Sequence, residues 1–137
     1  MPTRNARGRA WTQKIAQLKP YFRQTDIFGA LQLTSQILAA ETDVDRKELV
    51  VFSDMRESTP GLDFERMKLV PAYEAFASKC GALPALKGTY LFVAGADGAG
   101  KSTEYWESLR QFWTEYIRAT GAALQTFTVL RDSPRDF

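Results

Sequence analysis

The stretch GADGAGKST, residues 95–103, has the pattern Gly, four residues, Gly-Lys-Ser that is typical of the phosphate-binding loops of ATP- and GTP-binding proteins. In such loops backbone N–H groups surround the phosphates, the lysine reaches their oxygens and the serine hydroxyl binds Mg²⁺. The pattern therefore predicts a site for ATP or GTP, as one hypothesis. The residues that would form it are Gly95, Gly98, Gly100, Lys101 and Ser102.

The surroundings of this loop agree with a nucleotide site only in part. An apolar run precedes the loop and a helical pattern follows it, as in phosphate-binding loops. However, such domains use later strands to supply the carboxylate that orders magnesium, and only 34 residues follow Thr103. Asp54 would have to take that role from a position before the loop. The alternative is a glycine turn between strand and helix, in which Ser102 or Thr103 caps the helix and Lys101 lies in solvent.

Composition removes several classes of chemistry. The 137 residues contain no histidine and one cysteine, Cys80, which excludes imidazole catalysis, internal disulfides and cysteine-based zinc clusters. We expect Cys80 to pack in the core. The net charge of +2 and the short basic cluster at Arg4, Arg7 and Arg9 predict neither a nucleic-acid nor a membrane partner. No run is apolar enough for a membrane span or a secretion signal, so we expect a cytoplasmic protein.

Apolar spacing predicts helices that alternate with buried strands. Such alternation is typical of a parallel α/β sheet whose loops, after Asp54, Gly95 and Leu130, emerge on one rim. The predicted elements are a helix between Gly8 and Pro20 with Trp11, Ile15 and Leu18 on its apolar face, a helix from Thr25 or Asp26, the strand ELVVFSD, a helix between Pro71 and Gly81, the strand TYLFVAG, a helix that includes Tyr105 to Ile117, and the strand LQTFTVL.

The segments TDIFGAL, LVVFSDM and YLFVAGADGAGKSTEYWESLRQFWTEYIRATGA resemble the carboxyl-terminal part of a von Willebrand factor type A (vWA) domain, of the bacterial branch with Ser-Asp-Met after the acidic strand. The resemblance divides the chain into a basic segment with a short helix, 1–24, and a partial vWA-like domain, 25–137. It implies an α/β fold with three layers and a mostly parallel, Rossmann-like sheet. Family members mostly recognise other proteins, and they bind Mg²⁺ or Mn²⁺ on the carboxyl rim of the sheet.

Two positions match the family's metal site. By this resemblance Thr25 in QTDI and Asp54 in FSDM correspond to its threonine and its later aspartate. Alternatively, Thr25 caps a helix and Asp54 caps the turn after a strand. The family's Asp-x-Ser-x-Ser loop occurs nowhere in the sequence, and its first strands are missing. Since that first strand lies beside the one matching ELVVF, the resemblance implies an exposed edge at residues 48–53 and self-association through it.

Three hypotheses follow for function. The leading one is a partial vWA-like interaction module, not an enzyme, with a remnant divalent-metal site at Thr25 and Asp54 and a protein partner that the sequence does not name. In that case the glycine loop is a structural turn. The alternative is an ATP- or GTP-binding protein that uses Gly95 to Ser102. The second alternative is an inactive fragment of a larger protein.

Overall fold

The computed structural model describes residues 25–96 and 100–129. The predicted helix between Gly8 and Pro20 and the end of the last predicted strand lie outside these ranges. The described elements are α1 (Ile27–Ala39), β1 (Lys47–Phe52), β2 (Ser58–Thr59), β3 (Leu62–Asp63), a 3₁₀ turn (Phe64–Arg66), α2 (Tyr73–Phe76), β4 (Thr89–Ala94), α3 (Thr103–Ala119) and β5 (Ala123–Thr128).

The main sheet has the order β1-β4-β5, and both pairings are parallel. Phe52 lies opposite Ala94, which in turn lies opposite Thr128, so the three strands end together. Hydrogen bonds continue past these ends, from the Ser53 N–H to the Ala94 carbonyl (3.1 Å) and from the Ala96 N–H to the Thr128 carbonyl (3.0 Å). The predicted parallel α/β sheet with one carboxyl rim is therefore confirmed.

The core lies on one face of this sheet. Leu91 and Val93 of β4 are fully buried, and Leu49 and Val51 of β1 pack against the same cluster. The aromatic stripe of α3 fills it, as the three-four spacing predicts. Its fully buried members are Tyr105, Phe112, Trp113 and Tyr116. Since α1 and α3 both contribute to this one cluster, the described residues form two layers, a sheet and its helices.

The N–H groups of the first helical residues of α1, Ile27 to Ala30, all have acceptors. Asp26, not Thr25, is its cap, because the Asp26 carboxylate accepts the Gly29 N–H at 2.8 Å. The Asp26 carbonyl accepts the Ala30 N–H at 3.2 Å. Ile27 and Phe28 donate to a side chain from another part of the chain, described below. One local side chain, Asp26, and one distant side chain thus accept the N–H groups of the first turn.

Two local features differ from the prediction. The helix after Pro71 spans only Tyr73–Phe76 and does not reach Gly81, because the chain leaves the helix through a turn in which Lys79 donates to the Phe76 carbonyl. Gly81 does have the positive φ (73°) of a left-handed turn residue. The turn-rich stretch ESTPGLD contains a small hairpin, β2 and β3, whose two-residue strands carry no detectable period. Across the described ranges, none of the helices is both long and apolar enough to cross a bilayer.

Candidate functional site

Of the two residues that the resemblance selected, Asp54 lies in the loop after β1 and Thr25 pairs with the chain just beyond it. Asp54 is exposed at the carboxyl rim, and its Oδ1 accepts the N–H of Arg56 at 3.0 Å, which makes it the cap of the strand-end turn. Thr25 pairs with Ser58, four residues after Asp54, through backbone hydrogen bonds of 3.1 and 2.9 Å. Thr25 and Asp54 therefore flank the same loop.

The ligands for a divalent cation are few at this loop. Mg²⁺ takes six oxygen ligands. The Thr25 hydroxyl and the Asp54 carboxylate would supply two kinds of suitable oxygen, but one Asp54 oxygen already accepts a backbone N–H. Within residues 25–96 and 100–129 no three acidic or cysteine side chains converge on one point. The described residues thus provide an incomplete set, and we derive no step through a metal.

Met55 turns the chain sharply inward after β1. It is fully buried and has φ of 62°, in the left-handed region that residues other than glycine rarely adopt. Its carbonyl accepts the indole N–H of Trp113 at 2.7 Å, and its own N–H donates to the Ser53 hydroxyl at 3.0 Å. These bonds and the burial of the side chain offset the backbone strain. The turn directs the next residues toward α1.

The turn at Met55 places the side chain of Glu57 in the interior, and the sequence did not indicate this burial. A polar, turn-rich stretch such as Arg56 to Ser58 is typical of a solvated loop, but Glu57 is 0% exposed. Its Oε1 accepts the N–H groups of Ile27 (2.7 Å) and Phe28 (3.2 Å) at the start of α1. A glutamate in a polar, turn-rich stretch carries no pattern that marks it as buried.

The environment of Glu57 favours its neutral form. Burial raises the pKa of Glu57 to about 7, against the lowering effect of the two backbone N–H groups, and the nearby Asp26 carboxylate raises it further. Its Oε2 has no hydrogen-bond partner in the described part of the chain. Glu57 therefore ties the loop after β1 to α1 at an electrostatic cost.

A second group of side chains joins this loop to the start of α3. The Arg56 guanidinium contacts the Glu65 carboxylate at 3.2 Å, and the Arg56 side chain is only 11% exposed. The hydroxyl of Tyr105 donates to the Phe64 carbonyl at 2.8 Å, and burial raises the pKa of Tyr105 to about 12. These contacts hold the 3₁₀ turn against α3.

Lys101 belongs to the same group. The glycine-turn interpretation predicted that Lys101 lies in solvent, but the residue is half-buried. Its ammonium donates to the Glu65 carbonyl and lies 5.0 Å from the centre of the Tyr105 ring. A phosphate bound by this lysine would have to compete with that carbonyl. The ammonium instead links the glycine loop to the 3₁₀ turn.

The described ends of the glycine loop have the geometry of a tight turn. Gly95 and Gly100 have φ of 83° and 80°, which glycine adopts without strain. Gly98 lies outside the described residues. Ser102 caps α3, since its hydroxyl accepts the Tyr105 N–H at 3.0 Å. Of the two predicted caps, Ser102 is the one observed, and the hydroxyl that would bind Mg²⁺ in a nucleotide site has a structural role here.

No protein-family model, curated protein or solved structure matches this chain. The vWA resemblance therefore rests on the quoted segments alone. A parallel α/β sheet is compatible with it, but that architecture serves many unrelated functions. The function must be argued from the surfaces and side chains described above.

Proposed function

We propose that this chain is a protein-interaction module, a partial vWA-like domain rather than an enzyme, which binds its partner through the open edge of β1. The partner that is simplest to test is a second copy of the same chain. The observation that carries the proposal is the position of β1 at the sheet edge, with an apolar side chain exposed at its end.

The backbone of β1 supports this proposal. The Ser53 N–H is directed at β4, so the alternation of a strand turns the N–H and C=O groups of Glu48, Val50 and Phe52 away from β4. On that side, no strand of the described ranges pairs with β1. An unpaired edge of this kind is a template for a strand from another chain.

The side chain of Phe52 adds an apolar contact next to this edge. It is 61% exposed at the carboxyl end of β1. Burying a phenylalanine side chain contributes about 1.5–3 kcal/mol, so a partner whose own side chains pack on Phe52 gains affinity beyond backbone hydrogen bonds. Thr25 and Asp54 remain the proposed remnant of a Mg²⁺ or Mn²⁺ site, but edge pairing needs no metal.

The proposal is tested by sedimentation velocity over a range of concentrations with a matched pair of variants. Phe52→Lys places a charge beside the edge, a change that natural sheets use to prevent pairing. Leu33→Lys makes a similar change at a leucine of α1 that is equally exposed, 60% against 61%. We expect the native chain and Leu33→Lys to self-associate and Phe52→Lys to stay monomeric. A monomeric native chain, or equal behaviour of the two variants, would contradict pairing of copies through β1.

A further inference from the structure

The open edge of β1 limits how a second copy of the chain can pair with it. Glu48, Val50 and Phe52 turn their backbone N–H and C=O groups away from β4, whereas Leu49 and Val51 turn theirs toward it. A second strand can therefore form hydrogen bonds only with alternate residues of β1. The pairing is restricted further when that strand is another β1, because two identical chains associate around a two-fold axis.

Two-fold symmetry selects the antiparallel direction. In a parallel pair the bonding residues of the two strands are offset by one position, as the Ser53 N–H binds the Ala94 carbonyl although Ala94 lies opposite Phe52. A two-fold axis along the strands would instead put identical outward groups at the same level, with N–H facing N–H. An axis perpendicular to the strands reverses the second copy and allows opposing residues to exchange N–H···O bonds. A symmetric pair is thus antiparallel.

The length of β1 then selects the register. The strand spans Lys47–Phe52, so its outward residues are Glu48, Val50 and Phe52. With the axis at Val50, this residue lies opposite its own copy, and Phe52 lies opposite Glu48 of the second copy. All outward residues of both strands then exchange hydrogen bonds within the observed strand.

Moving the axis by one residue loses part of this pairing. With the axis one residue earlier, Phe52 lies opposite Arg46, which is outside the strand. With the axis one residue later, Glu48 lies opposite Asp54, which is also outside the strand, and two carboxylates face each other. The axis at Val50 avoids both losses.

The side chains near the edge agree with the axis at Val50. The Arg46 Nε lies 2.6 Å from the Glu48 carboxylate, and the guanidinium lies 4.0 Å from the centre of the Tyr90 ring. The exposed ring of Phe52 would therefore meet a neutralised ion pair of the second copy, with a guanidinium that favours aromatic contact. At the ends of the paired region, Arg46 lies opposite Asp54 of the second copy, which places opposite charges together.

We infer that two copies pair as antiparallel β1 strands around a two-fold axis at Val50 and join their sheets into one. Phe52 of each copy packs on the Arg46–Glu48 ion pair of the other. This inference rests on the proposed function, which names the edge and the second copy but neither the direction nor the register.

The test is disulfide formation between copies of the full chain. In a background of Cys80→Ala, which removes the only cysteine of the sequence, Glu48→Cys, Val50→Cys and Phe52→Cys are made one at a time. With the axis at Val50, the two Val50 Cα atoms lie about 5.5 Å apart, which a disulfide can bridge. The two Glu48 positions are offset by about 13 Å along the strands, as are the two Phe52 positions.

Under mild oxidation, we expect the yield of linked dimer to be about tenfold higher for Val50→Cys than for either other variant alone, measured by mass spectrometry of the intact protein. A mixture serves as the positive control. Glu48→Cys and Phe52→Cys copies should link to each other when combined, because these positions lie opposite one another in the proposed pair.

The other outcomes separate the inference from the proposed function. A native chain that stays monomeric in sedimentation velocity contradicts both. A native chain that dimerises while all three cysteine variants link equally well has parallel strands, which overturns the inference alone. Dimerisation without preferred linkage of Val50→Cys also overturns the inference, and Phe52→Lys then decides whether the β1 edge is used at all.

A second comparison does not depend on introduced cysteines. Arg46→Glu places like charges opposite each other at both ends of the pair, so we expect the Kd of the dimer to rise about fivefold or more. Adding Asp54→Arg restores opposite charges and should recover most of the affinity. The control combines Arg46→Glu with Asp43→Arg, at an exposed residue of the loop before β1, which restores the net charge but not the pair. Equal recovery by the two double variants would contradict the register.

Discussion

At the scale of single residues, two residues in the loop after β1 would each, taken alone, destabilise the folded state. Met55 has a strained backbone, and Glu57 is a buried carboxyl group with one oxygen that has no hydrogen-bond partner in the described residues. Each is retained because it serves another element: the Met55 carbonyl binds Trp113 of α3, and the Glu57 carboxyl binds the start of α1. Two residues of one loop thus connect both main helices to the sheet.

We predict that Glu57 makes the stability of the protein depend on pH. The folded protein holds the Glu57 proton up to a pH of about 7, whereas the unfolded chain releases it near the ordinary value of 4.5. The folded state therefore binds more protons between these values, so the free energy of unfolding should fall as pH rises from 4.5 to about 7. The slope from this group is at most about 1.4 kcal/mol per pH unit. Urea denaturation at several pH values measures it.

The matched variant is Glu57→Gln. The amide oxygen can still accept the N–H groups of Ile27 and Phe28, but the side chain no longer titrates. The slope between pH 4.5 and 7 should therefore be smaller in the variant. An unchanged slope would assign the pH dependence to other groups.

At the scale of elements, α3 shows why the position of a helix was easier to predict than the tertiary contacts made at its ends. Its aromatic stripe repeats at three-four spacing from Tyr105 to Tyr116, and its cap Ser102 stands directly before Thr103. Both signals are local in sequence. The contact of Lys101 with the Glu65 carbonyl spans 36 residues and depends on the position of a 3₁₀ turn, for which no period exists.

The cap of α3 gives a prediction about this element. Ser102→Ala removes the oxygen that accepts the Tyr105 N–H, and loss of such a cap costs about 1 kcal/mol. Thr103→Ala, one residue further on, removes an exposed hydroxyl and introduces the best helix former, so we expect it to be neutral or stabilising. Urea denaturation of both variants provides the measurement. Equal destabilisation would show that the cap does not contribute.

At the scale of the whole molecule, the sequence predicted the architecture better than the site. The parallel direction of the strands follows from buried apolar runs separated by helices, and the parallel sheet with one rim agrees with that pattern. The order of the strands was not predicted. The burial of Glu57 and the left-handed turn at Met55 were not predictable, because both depend on which distant elements meet at the rim. The position of Asp54 on the rim followed from its strand, whereas the role of its neighbours did not.

The nucleotide hypothesis has a direct test on the intact protein. With Lys101 bound to a carbonyl and Ser102 used as a cap, we expect Mg·ATP and Mg·GTP to leave the Tm unchanged. If the protein binds the nucleotide, a free nucleotide concentration of 100 times the Kd would instead stabilise the protein by about 2.7 kcal/mol and raise the Tm by several degrees. A rise that disappears in Lys101→Ala would establish the phosphate loop and displace the interaction proposal. Mg²⁺ or Mn²⁺ alone serves as the control for a metal effect.

The bond from the start of α1 to Glu57 also has a consequence for the order of folding. Ile27 and Phe28 find their acceptor about 30 residues later in the chain, so the first turn of α1 is not complete until the loop after β1 has taken its position. The body of the helix can form earlier from local bonds. In a pulse-labelling hydrogen-exchange experiment, these two amides should therefore gain protection together with the strands, later than amides further along the same helix.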